Sequence, residues 1–315
     1  MKKDYRKALG EAMVTVGREV KDLTVVTADV SHSTGAGIFE KKFPERFFTV
    51  GIAEANAVGI AAGISSFNRP VIFTAYSMFA AGKAFEQIRN MVCYPKLNVK
   101  IVVTHGGITT GKDGVTHQCV EDISAMRGIP GMRVVIPADP GEVLAGLRMV
   151  VNTPGPIFYR TCRCEGEVIH TNENFVDFQL GKAEILRDGE DVTLIGAGIM
   201  VWECLKAAKE LEKKNIHARV INIRTVKPLD AETIALAAID TGAIVVAEDH
   251  NGFGGLGGAV AECLVKNKPV PMEHVALKDT FAESGAPEEL MVKYGLSSKE
   301  IVKKAKAAIC RKGAF

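Results

Sequence analysis

The sequence predicts an α/β protein of two domains, each a mostly parallel sheet with helices on both faces. Three observations predict it. Short β-branched or aromatic runs alternate with longer Ala-rich or amphipathic stretches of helical length. The alternation breaks once, at a polar, turn-rich stretch, and then restarts. Finally, 315 residues that are 47% hydrophobic, with 31 glycines, are enough to build two cores of ordinary size.

In chain order, the strands of the first domain are "LTVVTAD" (23–29), "VIFTAY" (71–76), "VKIVVTH" (99–105), "MRVVIPA" (132–138) and "GPIFYRT" (155–161). Between the first two lies "GIAEANAVGIAAGI" (51–64), small and apolar enough for a buried helix apart from Glu54 near its start. The stretch from 163 to 191 is polar and at best hairpin-like, so the domains are drawn as 1–162 and 191–315 with a linker over 163–190. Beyond it, "DVTLIGAG", "HARVINIRTV" and "AIVVAEDH" read as strands. "IMVWECLKAAKELEKK", "DAETIALAAI" and "GGAVAECLVK" read as the helices between them.

A formal charge of +2 and scattered basic residues leave no footprint for nucleic acid; Lys303, Lys304, Lys306 and Arg311 read as the solvated face of a helix. The charged N-terminus "MKKDYRKALG" has no signal-peptide core, and no run approaches the ~18 apolar residues a membrane span needs. A cytoplasmic protein with neither a membrane nor a nucleic-acid partner is expected. Seven cysteines at irregular spacings fit a reducing compartment and core thiols, and Cys162-x-Cys164 is too tight for the usual zinc pair, so no metal site is expected on this chain.

Two glycine-rich stretches stand out. Gly252-x-Gly254-x-x-Gly257 lies between a strand and a helix, the context of a dinucleotide fingerprint. It comes late in its domain, however, and Glu273 precedes its strand, so a tight strand-to-helix turn is the better reading. The other, "THGGITTGKDGVTHQ" (104–118), directly follows a strand and packs His105, Asp113 and His117 among four glycines. Ligands of parallel sheets bind beyond the carboxyl ends of the strands, and histidines there can donate to oxygens or move protons. Isolated histidines such as His32, His170 and His217 read instead as surface or self-capping residues. Phe73, Tyr76 and Phe79, spaced three apart at a strand exit, could line a site or belong to the core.

Together, "GIAEANAVGIAAGI", "FTAYSMFAAGKAFEQIRN", "VVTHGGITTGKDGVTHQCVEDISAMRGIPGMRVVIPAD" and "IFYR" resemble, in this order, the pyrimidine-binding domain of transketolase over the first 160 residues or so. The remainder resembles the transketolase C-terminal domain. The sequence lacks the "GDG" followed by Asn-Asn with which that family holds the metal and the diphosphate of thiamine diphosphate. The resemblance therefore implies the C-terminal subunit of a split transketolase. Its partner would be an N-terminal subunit carrying the diphosphate-binding domain and most of the contacts to Mg²⁺ or Ca²⁺, in an α2β2 heterotetramer. Sugar phosphates would be its substrates.

The resemblance also assigns roles. Glu54 matches the glutamate that hydrogen-bonds N1′ of the aminopyrimidine, and a buried carboxyl with no basic partner nearby in sequence suits a proton donor. Tyr76, where the family commonly has Phe, would stack on the pyrimidine, with Phe73 and Phe79 completing the pocket. Asp29 matches a carboxylate near the cofactor, and Ala55 replaces the His or Gln that often follows the glutamate. Arg6, Ser33, His105 and Arg160 match the grip on the sugar phosphate. Asp113 matches the reader of a substrate hydroxyl and His117 the group near the reacting carbons; Arg160 read without the resemblance is equally a surface ion pair.

Three alternatives share parts of this pattern. A 1-deoxyxylulose-5-phosphate synthase has the loop motifs but is normally one long chain. The beta subunit of a 2-oxo acid dehydrogenase has this size and layout but lacks the "THGG" and "GKDG" loop. A non-catalytic binding or regulatory relative would not need Glu54, His105, Asp113 and His117 together.

Overall fold

The computed structural model describes residues 1–171 and 178–312. Residues 172–177 of the expected linker and 313–315 of the expected second domain lie outside the described residues. A seven-stranded sheet forms the first half, in the order 225–227, 133–135, 157–160, 99–104, 71–76, 24–27, 47–49, parallel except for the first strand. The central strands Val71–Tyr76 and Val99–Thr104 are buried along almost their whole length because helices cover both faces. Helix Glu54–Ser65 packs Ala57, Val58, Ala61 and Ala62 inward, and its small side chains let it lie close to the sheet.

The second sheet is five-stranded, in the order 272–277, 244–251, 192–196, 218–222, 184–187, with only the last strand antiparallel. Segment 163–190 contributes strands to both halves: Glu165–Glu167 pairs with the N-terminal strand Lys2–Asp4, and Glu184–Arg187 edges the second sheet. "HARVINIRTV", expected as one strand, is two. Ala218–Asn222 stays in the second sheet, whereas Thr225–Lys227 crosses over and pairs antiparallel with Arg133–Val135 of the first. The periodicity of β-branched residues continues through the crossover and hides it.

Buried ionic contacts join the halves where this crossover runs. His170, expected at the surface, is buried between the carboxylates of Asp139 (2.7 Å) and Glu184 (2.8 Å). Arg224 Nε pairs with Glu142, and its Nη2 lies 2.6 Å from Glu184. The two carboxylates outweigh desolvation and push the His170 imidazole up to about 10, so it is an imidazolium. No described helix is long and apolar enough to cross a membrane.

Candidate active site

Glu54 is the first residue of its helix, where a carboxylate meets the positive end of the helix dipole. Its side chain is 3% exposed. The sequence shows no basic residue near it, but the fold supplies one. After strand Val71–Tyr76 the chain makes a π-helical turn, Phe79–Lys83, which carries Lys83 Nζ to 2.6 Å from Glu54 Oε2. The contact is an ion pair without regular hydrogen-bond geometry, and Glu54 Oε2 makes no other hydrogen bond among the described residues.

The same turn builds an aromatic cluster. Tyr76 stacks on Phe79 with centroids 5.7 Å apart and on His105 at 3.8 Å, and His117 meets the edge of Phe79 at 5.4 Å. Phe73, expected with them, is instead a fully buried core residue. Side chains three apart on a strand point to opposite faces, so Phe73 joins the core of Val71 and Ala75 while Tyr76 turns the other way. Phe79 belongs to the cluster because the strand has ended by then.

His105 caps strand Val99–Thr104 with a left-handed φ of 64°. Burial, followed by the charges of Arg163, Arg6 and His117, holds its imidazole down to about 3, so it is neutral. Its Nδ1 lies 2.7 Å from Thr104 Oγ1, and its carbonyl accepts from the Thr110 hydroxyl at 3.0 Å. His117 Nδ1 pairs with Thr116 Oγ1 at 2.9 Å. Exposed Asp113 meets Arg163 at 3.0 Å, and Arg163 also donates to the Thr110 carbonyl at 2.7 Å.

Arg160 differs from both readings of the sequence. It is buried, with Nε donating to Asp122 Oδ2 (2.7 Å) and Nη2 to the Asp249 carbonyl (2.9 Å), so its guanidinium faces the joint between the halves. The arginine beside Asp113 and His105 is Arg163, which sequence reasoning missed because it fell in the expected linker. Asp249 was missed too. Its Oδ1 accepts from the Ile108 amide at 3.0 Å, and a Cβ on Gly107, whose φ is +76°, would sit 1.8 Å from Oδ2. Only glycine allows the loop to close on that carboxylate. The Gln118 amide donates to the Glu283 carbonyl at 2.9 Å, so the second half holds this loop at two points.

Arg6 lies in the first turn of helix Tyr5–Glu19, bridged to Asp4 at 2.8 Å, and Ser33 spends its hydroxyl on the Val30 carbonyl at 3.1 Å. Gly35 brings their segments together: a Cβ there would lie 2.1 Å from the Arg6 carbonyl. Asp29 is exposed, with a left-handed φ of 61° at the end of strand Thr24–Thr27. The turn at Gly252–Gly257 needs no dinucleotide. Glu248 accepts from the Leu256 and Gly257 amides at 2.7 and 2.8 Å, filling the helix N-terminus with the chain's own carboxylate. Among the described residues, the group with metal-ligand geometry is Asp139, Glu142 and His170, and their ligand atoms are committed to the ionic contacts between the halves.

The model of the transketolase pyrimidine-binding domain matches residues 1–167, and that of the transketolase C-terminal domain residues 181–301. The chain belongs to the transketolase family. Among its transketolase relatives is a protein of Methanocaldococcus jannaschii described as a transketolase C-terminal section, 43% identical over 96% of this chain and 95% of that one. A 6-deoxy-6-sulfo-D-fructose transketolase subunit of Clostridium sp. strain MSTE9 is 40% identical over 92% of this chain and 89% of that one. A solved structure described as a split gene transketolase, inactive beta4 tetramer, superposes with a TM-score of 0.89 at 40% identity, covering 98% of this chain and 99% of that one. The chain therefore has the extent of a split transketolase C-terminal subunit, with the two-domain α/β fold of that family.

Proposed function

We propose that this chain is the half of a thiamine diphosphate-dependent transketolase that holds the aminopyrimidine and the sugar substrates, moving a two-carbon ketol unit from a ketose phosphate to an aldose. A partner subunit would supply the diphosphate site and its Mg²⁺ or Ca²⁺, in an α2β2 assembly. One observation carries the reading. A buried carboxylate oxygen, held by the exposed Lys83 ammonium and by no regular hydrogen bond, lies beside the turn that carries Phe79, which clusters with Tyr76, His105 and His117. An aminopyrimidine fits such a place, with one ring nitrogen for Glu54 and two faces for aromatic side chains.

When bound, thiamine diphosphate supplies the electron sink that makes two-carbon transfer possible. Glu54 would hold a proton at the ring nitrogen. Tyr76 and Phe79 would flank the ring and exclude water. His105, kept neutral, would donate its one N–H to a substrate oxygen, and His117 would move or share a proton at the reacting oxygen. Arg163 and Arg6 would receive the terminal anion and Asp113 a hydroxyl. The Clostridium relative, named for a sulfonated sugar, supports an anion-binding rather than strictly phosphate-binding grip. The inactive beta4 form named for the similar structure supports a need for a second kind of subunit.

In the complex reconstituted with such a partner, Glu54→Gln should lower ketol transfer about 10²-fold or more. Near-normal transfer would overturn the reading.

A further inference from the structure

Cys162 and Cys164 flank Arg163, and their sulfurs are 3.3 Å apart in the reduced chain. The contact is not used by anything in the active site. Cys162 is buried, whereas Cys164 is half-buried and lines a cavity of about 430 Å³ walled also by Tyr5, Thr109 and Trp202, open to solvent between the two halves. Two extended residues span about 6.6 Å, inside the window of roughly 4.4–6.8 Å that a disulfide bridges, and the chain bends at 163–164. Closing the bond needs the sulfurs to approach from contact to about 2.05 Å.

We propose that Cys162 and Cys164 form an oxidative modification site, in which hydrogen peroxide closes a Cys162–Cys164 disulfide around Arg163. The Cys164 thiolate, reached through the cavity, attacks the peroxide O–O bond, becoming a sulfenic acid as one water leaves. The Cys162 thiol then displaces the sulfenic oxygen, forming the S–S bond and releasing a second water. Two thiols are oxidised and one peroxide is reduced. Cys162 is buried and does not line the cavity, so the peroxide meets Cys164 first and Cys162 is the resolving partner.

Arg163 is pinned within the ring so formed. In the reduced chain it bridges Asp113 (3.0 Å) and the Thr110 carbonyl (2.7 Å), and the Thr110 hydroxyl holds the His105 carbonyl at 3.0 Å. A three-residue ring changes the backbone angles at Arg163 and withdraws its guanidinium from that bridge. This consequence rests on the proposed transketolase reading; disulfide formation does not.

The test is to titrate the assembled complex with hydrogen peroxide, alkylate the remaining thiols and weigh the peptide spanning 162–164. A peptide lighter by two hydrogens, resistant to alkylation and restored by dithiothreitol, is expected, and it should be absent in Cys164→Ser. A sulfinic acid on Cys164, or crosslinks running instead through exposed Cys310, would overturn the site. With the disulfide formed, KM for a phosphorylated acceptor should rise by at least about tenfold while Cys164→Ser is unaffected by peroxide. An unchanged KM would refute the coupling to Arg163 and leave the disulfide standing.

Discussion

Lys83 Nζ lies 2.6 Å from Glu54 Oε2, joining a side chain 53% exposed to one only 3% exposed. The lysine therefore competes for the carboxylate that a ring nitrogen would need. Because the ammonium is largely solvated, the pair is held in the range of surface ion pairs, up to about 1 kcal/mol. Lys83→Met should tighten thiamine diphosphate binding to the assembled complex by up to about fivefold. Calorimetric titration checks this, and weaker binding would mean that Lys83 holds the cofactor instead of competing with it.

The two arginines should separate by phenotype. Arg163→Ala should raise KM for a phosphorylated substrate by the equivalent of about 1.5–3 kcal/mol, the worth of a charged hydrogen bond, with little change in Tm. Arg160→Ala removes the buried partner of Asp122 and should cost about 3–5 kcal/mol of stability. His105→Ala, losing a neutral donor, should cost only about 0.5–1.5 kcal/mol in KM. Steady-state kinetics and denaturant melts distinguish the three.

Much of the site is written in local sequence. Glu54 at a helix start, the aromatic exit of a strand, and two histidines in one glycine-rich loop were all visible because each depends on neighbours a few residues away. What was hidden depends on distant chain. Lys83 reaches Glu54 only through a π-helical turn, Asp249 reaches Gly107 from 142 positions away, and Arg163 lies in a polar, turn-rich stretch without periodicity of its own. The Phe73 error has a similar source. A spacing of three looks like one face until the strand boundary at Tyr76 assigns the residues to opposite sides.

Gly107→Ala tests the docking of the loop. A Cβ would lie 1.8 Å from Asp249 Oδ2, and the residue sits at φ +76°, so the loop must move or the halves must part. A loss of about 1–3 kcal/mol for the backbone strain alone is expected, with a raised KM, and urea melts beside kinetics would detect both. The unaltered kinetics of a stable variant would show that Asp249 does not shape the site.

His170 should tie stability to pH. Its folded value, about 10, is above the ordinary 6.5, so its contribution is complete below about pH 6.5 and is lost as pH rises towards 10. Denaturant midpoints should fall over that window in the parent chain. His170→Gln should be destabilised by about 3–5 kcal/mol at neutral pH and show a flatter profile.

Calorimetric titration of thiamine diphosphate with Mg²⁺, into this chain alone and into its mixture with a protein carrying a diphosphate-binding domain, tests the central claim most directly. Tight binding only in the mixture is the predicted result. Tight binding by this chain alone, or none in either sample, would contradict the claim.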